Sequence, residues 1–294
     1  MFLSAAFVRL ARPSPCVFRA FSSSSLRAAP VDLAFEVTPS PDNSTQRPMV
    51  LLHGLYGNKN NWRALSKAFA SKLNVPVYSV DLRNHGTSPH VAATDYMSMA
   101  DDVVHLCQEE NLSQISLVGH SMGGKVAMSV ALRPDLPPSL LRKLIIEDVS
   151  PKISSRLSSE FVGYAAAMRK LAEAKPVSRR EADTLLKDAA PDLSVRQFLM
   201  TNLITDGDGT PLRWRFPPHM IEDATLEKIG KFPFTEGDGV RYEPETLFVR
   251  GARSQYLADV RVDLARTFFP NLKLETLDTG HWGALVAKAL SLMS

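Results

Sequence analysis

The sequence predicts an α/β fold with a mostly parallel central sheet flanked by helices and a helical cap inserted into it. Three observations predict this. From Pro48 onward, short apolar runs alternate with longer amphipathic segments, as a parallel sheet covered by crossover helices requires. The alternation stops between Pro151 and about Arg241, a gap far longer than one crossover needs. Lastly, Gly119-His120-Ser121-Met122-Gly123 stands between an apolar run and a helical one, where a sharp turn presents a side chain above the sheet.

Leu33 to Val37 is expected to open the sheet at its edge. Met49 to Leu52, Val75 to Val80, Ile115 to Val118, Leu144 to Ile146, Thr246 to Val249 and Leu272 to Leu277 are the apolar runs expected as inner strands. Between them Trp62, Leu65, Phe69 and Leu73 recur at helical spacing, as do Met99, Val103, Leu106 and Cys107. In the gap, helices are expected over Phe161 to Ala172, Arg179 to Lys187, Leu193 to Leu203 and Leu226 to Lys231, punctuated by Asp206-Gly207-Asp208-Gly209. No Pro/Ser-rich linker isolates this stretch. Residues 151–240 therefore read as a cap inserted into a core made of residues 31–150 and 241–294. Within the cap, Phe161, Tyr164, Met168, Phe198, Met200 and Trp214 are expected mostly to pack its interior, with an acyl pocket as the alternative use.

The composition, 45% hydrophobic and 22% charged over 294 residues, is that of an ordinary globular enzyme. No apolar run of about 18 residues provides a membrane span. Part of the net charge of +3 comes from Arg9, Arg12, Arg19 and Arg27, which meet no Asp or Glu in the first thirty residues. The remainder is near neutral and gives no argument for nucleic acid. Residues 1–30, rich in Arg and Ser and free of acids, have the composition of a mitochondrial transit peptide, and Arg19-Ala20-Phe21-Ser22-Ser23-Ser24 resembles a presequence processing site. A matrix location is the expectation. Arg9 interrupts the apolar run too early for a secretory signal. Cys16 falls in this segment, so Cys107 is left alone and is expected in the core, with no intramolecular disulfide.

In Gly-x-Ser-x-Gly only glycine fits on either side of the turn, and the serine backbone is held under strain. Ile115 to Val118 supplies the strand and Gly124-Lys125-Val126-Ala127-Met128 the helix, so Ser121 is the expected nucleophile. A serine hydroxyl is hardly ionised at neutral pH and needs a base. His281, in Thr279-Gly280-His281-Trp282 just beyond the last expected strand, lies where a loop returns to the sheet edge. His53, His85, His90, His105, His120 and His219 fall in other loops or helices. The oxyanion that forms on attack needs preorganised N–H donors, each worth about 3 to 4 kcal/mol of barrier. Met122, following the nucleophile, is one expected donor; Leu55, in the loop Leu52-His53-Gly54-Leu55-Tyr56-Gly57, is the other.

The acid that orients the histidine is less direct. The loop after the post-cap strand, Arg250-Gly251-Ala252-Arg253-Ser254, carries Ser254 where Asp would be expected. Asp148, at the end of Leu144-Ile145-Ile146-Glu147-Asp148, lies at a carboxyl end one strand nearer to the nucleophile and keeps the order Ser, Asp, His. It is the assigned acid, with Asp259 as competitor and a helix cap as the structural alternative; Asp278 is too near His281 in sequence to reach its far nitrogen.

The blocks His53-Gly54-Leu55-Tyr56-Gly57, Asp81-Leu82-Arg83-Asn84-His85-Gly86-Thr87-Ser88-Pro89-His90, Gly119-His120-Ser121-Met122-Gly123-Gly124-Lys125 and Glu147-Asp148-Val149-Ser150-Pro151 resemble one branch of the α/β-hydrolase fold family. This branch holds the mitochondrial abhydrolase domain-containing protein 11 group, fungal ethanol acetyltransferases and bacterial esterases. The resemblance runs from about Pro48 to Trp282. It implies an acid after the strand that follows the nucleophile helix, hence Asp148, together with ester or thioester hydrolysis or acetyl transfer to an alcohol. One departure stands out: thirteen residues follow His281, and Trp282-Gly283-Ala284-Leu285 lacks the polar residues and full terminal helix of the branch, so exposed apolar surface is expected there.

The expectation is thus a serine esterase or thioesterase taking a small-molecule acyl substrate. Its rivals are an alcohol acyltransferase using the same triad and a non-catalytic mitochondrial protein that binds a matrix enzyme through its cap. Dehalogenase and epoxide-hydrolase chemistry need a carboxylate nucleophile, which Ser121 is not. No metal, flavin or nucleotide motif occurs, so no cofactor is expected. Lys125 reads as a structural ion-pair partner, Asp81, Arg83, His85 and Ser88 as scaffold for the site's rim, and Asp101-Asp102 as the first turn of a helix.

Overall fold

The computed structural model describes residues 28–42, 47–152, 159–207 and 209–281. The expected transit peptide and the segment from Trp282 onward therefore lie outside the described residues, apart from 28–30. Seven strands form one sheet in the order β1-β3-β2-β4-β5-β8-β9: β1 (Phe35–Thr38), β2 (Met49–Leu52), β3 (Val77–Val80), β4 (Ile115–His120), β5 (Leu141–Glu147), β8 (Thr246–Gly251) and β9 (Leu272–Leu277). All neighbours run parallel except β1, which pairs antiparallel with β3 at the edge.

The strands are continuous apolar runs because both sheet faces are covered. Met49 and Leu51 pack on one side with Trp62, Phe69, Val118 and Ile145, while Val50 and Leu52 face the other with Val126, Leu117 and Ile146. The first face is closed by helix α1 (Arg63–Leu73), whose Phe69 is fully buried, a contribution of about 1.5 to 3 kcal/mol for a side chain of that size. The second is covered by α2 (Tyr96–Glu109) and by α3 (Met122–Leu132), all of whose residues are buried. Asp95 caps α2 through the Ser98 N–H at 2.9 Å. The helix therefore begins earlier than the aspartate pair predicts. Asp101 and Asp102 lie in its second turn, where Asp102 turns inward to Arg83 and Asp101 pairs with Arg133 at 2.9 Å.

Between β5 and β8 lie α4 (Ser159–Ala174), α5 (Arg179–Leu186), α6 (Leu193–Met200) and α7 (Asp223–Gly230). The stretch is not all helix. The expected helix over Leu193 to Leu203 ends at Met200, and β6 (Leu203–Ile204) pairs with β7 (Arg213–Trp214). Arg213 grips Asp206 across the turn, and Gly209, at φ 74°, supplies its left-handed step. Phe161, Tyr164, Met168 and Trp214 are buried, with the Trp214 indole N–H donating to the Met168 carbonyl at 3.0 Å, while Phe198 and Met200 are half-buried. A further helix, α8 (Asp259–Phe268), joins the last two strands. Among the described residues no helix is long and apolar enough to cross a membrane.

Candidate active site

From β2 the chain moves outward to β3 and then returns to β4 on the other side of β2, so the sheet's switch point lies between β2 and β4. In open α/β sheets the crevice beyond the carboxyl ends at such a point is where ligands bind. The loop from His53 to Gly57 leaves β2 there, and Ser121 leaves β4.

Ser121 has φ 52° and ψ −116°, a backbone that a non-glycine residue adopts only under strain. The turn is enforced by close approaches. A Cβ on Gly119 would stand 2.2 Å from the Gly123 carbonyl oxygen, and one on Gly123 would stand 2.4 Å from that of Leu52. The Ser121 N–H donates to the Glu147 carbonyl at 3.0 Å, tying the elbow to β5.

The Ser121 hydroxyl is 3.1 Å from Nε2 of His281, and His281 Nδ1 is 2.7 Å from Oδ2 of Asp148. Asp148 has no exposed surface and His281 only 7%. With Asp148 ionised, Nδ1 carries the proton and Nε2 is left to accept from the serine. Burial pushes the Asp148 carboxyl up, but hydrogen bonds from His281, Ser254 and the Gly251 N–H, at 3.1 Å for the last, outweigh it and hold the group below its ordinary value. Glu147 next to it is pushed well up, first by burial and then by the Asp148 charge. Asp148 is thereby the ionised member of the pair.

The neighbouring acids are elsewhere. Asp259 opens α8 and pairs with Arg250 at 2.5 Å, with 89% of its side chain exposed, and Asp278 pairs with Arg253. Ser254 donates its hydroxyl to Asp148 Oδ2 and accepts the Tyr256 N–H at 3.2 Å. Ser254, where an acidic residue is expected after β8, thus holds Asp148, which follows the neighbouring strand β5.

Several residues around His281 have no strong sequence signal. The Tyr256 ring packs against the imidazole in a tilted arrangement, with 4.0 Å between centroids. His120 packs at 4.9 Å and donates from Nε2 to the His281 carbonyl at 3.0 Å. Burial, and then the nearby His281, draw the His120 pKa down to about 3, so it works as a neutral donor. Its place inside the elbow is visible in the sequence, but its contact with His281 is not. A cavity of about 380 Å³ opens on His281, with Ser254, Tyr256, Glu160, Arg253 and Arg261 among its lining residues.

The Leu55 loop lies against the elbow: a Cβ on Gly54 would stand 3.3 Å from that of Ser121. Gly54 to Gly57 form a turn closed by the Gly57 N–H on the Gly54 carbonyl at 2.9 Å. That carbonyl also accepts from His53 Nδ1 at 2.8 Å, while His53 Nε2 accepts the Leu82 N–H at 3.0 Å. In a trans peptide the N–H of Leu55 points opposite to the Gly54 carbonyl. Neither the Leu55 nor the Met122 N–H has an acceptor among the described residues.

The expected rim residues are buried anchors. Asp81 accepts from Lys59 Nζ at 2.5 Å and from the Thr87 N–H at 2.9 Å. Arg83 grips Asp102 with two bonds of 2.6 Å. Lys125 departs from its expected role: its ammonium meets two backbone carbonyls, Lys152 at 3.1 Å and Gly230 at 3.3 Å, with the Tyr96 ring at 5.5 Å. A buried ammonium at the carbonyl end of α7 is satisfied by that end's negative pole.

A family profile described as alpha/beta hydrolase fold matches residues 47–288. The chain belongs to the alpha/beta hydrolase family. It is 35% identical over 269 residues to a Danio rerio protein named sn-1-specific diacylglycerol lipase ABHD11, covering 90% of this chain and 81% of that one. It is 31% identical over 298 residues to a Saccharomyces cerevisiae protein named probable alcohol acetyltransferase, covering 92% of this chain and 86% of the other. Among solved structures it resembles a marine microorganism esterase at 31% identity and a TM-score of 0.75, covering 89% of this chain and 96% of that one.

Proposed function

We propose that this protein is a serine hydrolase acting on carboxylic esters or thioesters through an acyl-enzyme. The observation that carries the reading is the unbroken line of hydrogen bonds from Ser121 through His281 to Asp148. Family membership and the similarity to an esterase structure make it an enzyme of the carboxylic ester hydrolase class.

In the first step Ser121 Oγ bonds to the acyl carbon, its proton passes to His281 Nε2, and the carbonyl electron pair moves onto oxygen. The N–H groups of Leu55 and Met122 receive that charge, and Asp148 stabilises the imidazolium. Collapse breaks the bond to the alkoxide or thiolate, which leaves with the proton from His281. Water then repeats the sequence and frees Ser121. Acylglycerols belong in the substrate panel because the Danio rerio relative is named for them. A second reading, in which a short alcohol replaces water, is supported by the yeast relative.

A fluorophosphonate probe should label the parent protein and leave Ser121→Ala unlabelled; a parent that neither labels nor hydrolyses any ester would remove the enzyme reading and leave a non-catalytic binding protein. Supplying an acetyl ester in dilute ethanol and separating acetate from ethyl ester decides between water and alcohol. The composition of residues 1–30 supports action in the mitochondrial matrix.

A further inference from the structure

Tyr56, directly after the oxyanion donor Leu55, has φ 61°, a left-handed conformation that a bulky aromatic residue rarely adopts. Something must hold it there, and the contacts on its two sides are explicit. Its N–H donates to His85 Nε2 at 3.2 Å, and the other ring nitrogen of His85 donates to the Arg83 carbonyl at 2.9 Å. Its carbonyl accepts from the Asn202 side-chain amide at 2.5 Å. Asn202 is buried to 1% exposure and belongs to the segment between β5 and β8, just past the end of α6. Its amide oxygen in turn takes the Asn58 amide at 3.5 Å, on the far side of the same turn. The first clamp on Tyr56 thus comes from the core and the second from the cap, 146 residues away in sequence.

We propose that Asn202 is a positioning residue of the oxyanion hole: by holding the Tyr56 carbonyl it keeps the turn, and with it the Leu55 N–H, in the geometry that receives the developing charge. This rests on the acyl-transfer reading above and adds to it. The cap then completes the catalytic machinery, and the site reaches full competence only when the cap is seated on the turn. Asn suits the place because a single planar amide can donate to one carbonyl and accept from Asn58. The Tyr56 hydroxyl also donates to the Met220 carbonyl at 3.3 Å and its N–H to His85, but the Asn202 amide is the side-chain grip on the carbonyl itself, so its loss frees the Tyr56–Gly57 peptide to rotate within the turn.

The test compares the parent with Asn202→Asp, which keeps the shape but replaces the donor with a carboxylate oxygen, and with Asn202→Ala. Active sites are counted by fluorophosphonate titration so that unfolded protein does not enter the rates. Loss of a whole oxyanion donor costs about 10² to 10³ in kcat; a displaced one should cost at least about tenfold. KM for a short-chain ester should stay within about twofold, and inhibition by a trifluoromethyl ketone, whose adduct carries the oxyanion, should weaken in proportion to the loss of kcat/KM. A merely structural asparagine would lower the count of active sites or the Tm and leave kcat per site intact. Unchanged kcat per site in Asn202→Asp, or a loss confined to KM, overturns the proposal while leaving the parent's esterase activity standing. A parent that neither labels nor turns over overturns both.

Discussion

Asp148→Asn separates the acid assignment from its competitors, and the expected size of its effect comes from the geometry. Asp148 Oδ1 takes the Gly251 N–H at 3.1 Å, so Oδ2 is the atom left to face His281 Nδ1 at 2.7 Å and the Ser254 hydroxyl. An asparagine that keeps the Gly251 bond turns its NH₂ toward His281. The ring must then accept at Nδ1 and carry its proton on Nε2, where it can no longer take one from Ser121. The volume is unchanged, so the fold should survive and Tm should move little. The same tautomer error in another serine triad lowers kcat by about 10⁴, or about 5.5 kcal/mol of barrier. Ser254→Ala removes one bond to a carboxylate, worth about 1.5 to 3 kcal/mol, and should cost about tenfold because His281 and Gly251 still hold the group. Asp259→Asn touches a surface pair with Arg250 and should change nothing measurable. Initial rates on a short-chain ester, normalised to labelled sites, provide the assay. Asp148→Asn retaining a tenth of parental kcat, or Asp259→Asn losing two orders of magnitude, would refute the reasoning.

Stability should fall steeply in mild acid. Burial draws the pKa of both His85 and His120 to about 3; these values lie below the unfolded 6.5, so the unfolded chain takes the proton first, and the stability present above about pH 6.5 is lost as pH falls. From pH 7.5 to 5.0 each group should remove about 2 kcal/mol, read as a lower urea midpoint; a midpoint that does not move defeats this. Arg83→Met should cost about 3 to 5 kcal/mol by leaving Asp102 buried and unpaired, and adding Asp102→Leu should restore most of the lost Tm; a double variant as weak as the single one would contradict it. Residues 1–30 fused ahead of a fluorescent protein should deliver it to mitochondria, and a diffuse cytosolic signal would remove that assignment.

The parts of the fold legible in the sequence were those where local pattern and burial agree. The runs in β2, β4 and β8 are apolar because they are covered on both faces, and the Gly119 to Gly123 spacing is a direct trace of the close approaches those glycines make. The hairpin β6 and β7 was not legible. Leu203-Ile204 continues the apolar spacing of α6, and only pairing with Arg213-Trp214 some ten residues on turns it into strand. α8 carries little apolar signal, since much of its surface is exposed. Around the site, a residue that reacts advertises itself by type and place, whereas one that acts by packing does not. Tyr256, His120 and Asn202 reach their targets across 25, 161 and 146 residues of chain, and no local spacing encodes that. Lys125 shows the converse: its charge suggested a carboxylate, but a helix end supplied the counter-charge from backbone carbonyls, which leave no mark in a sequence.

On the acyl-transfer reading proposed above, the choice between water and alcohol would belong to the cap more than to the triad. Both proposed reactions pass through the same acyl-enzyme, and nothing in Ser121, His281 or Asp148 distinguishes one hydroxyl from another. What differs is which of them reaches the acyl carbon while His281 is free to take its proton. In this chain the cap is held at two places: at Asn202, which donates to the Tyr56 carbonyl, and at the end of α7, where Lys125 donates to the carbonyls of Lys152 and Gly230 and the Tyr96 hydroxyl to that of Ile229 at 2.7 Å. Two of these grips lie next to the proposed catalytic residues in the chain, since Lys125 follows Ser121 by four residues and Tyr56 follows Leu55 by one. On the proposed reading, a shift of the cap that admits more water is therefore expected to strain the elbow or the oxyanion turn as well, so substitutions in the cap's lining that leave these anchors in place are the ones expected to change the partition between water and alcohol while total turnover holds.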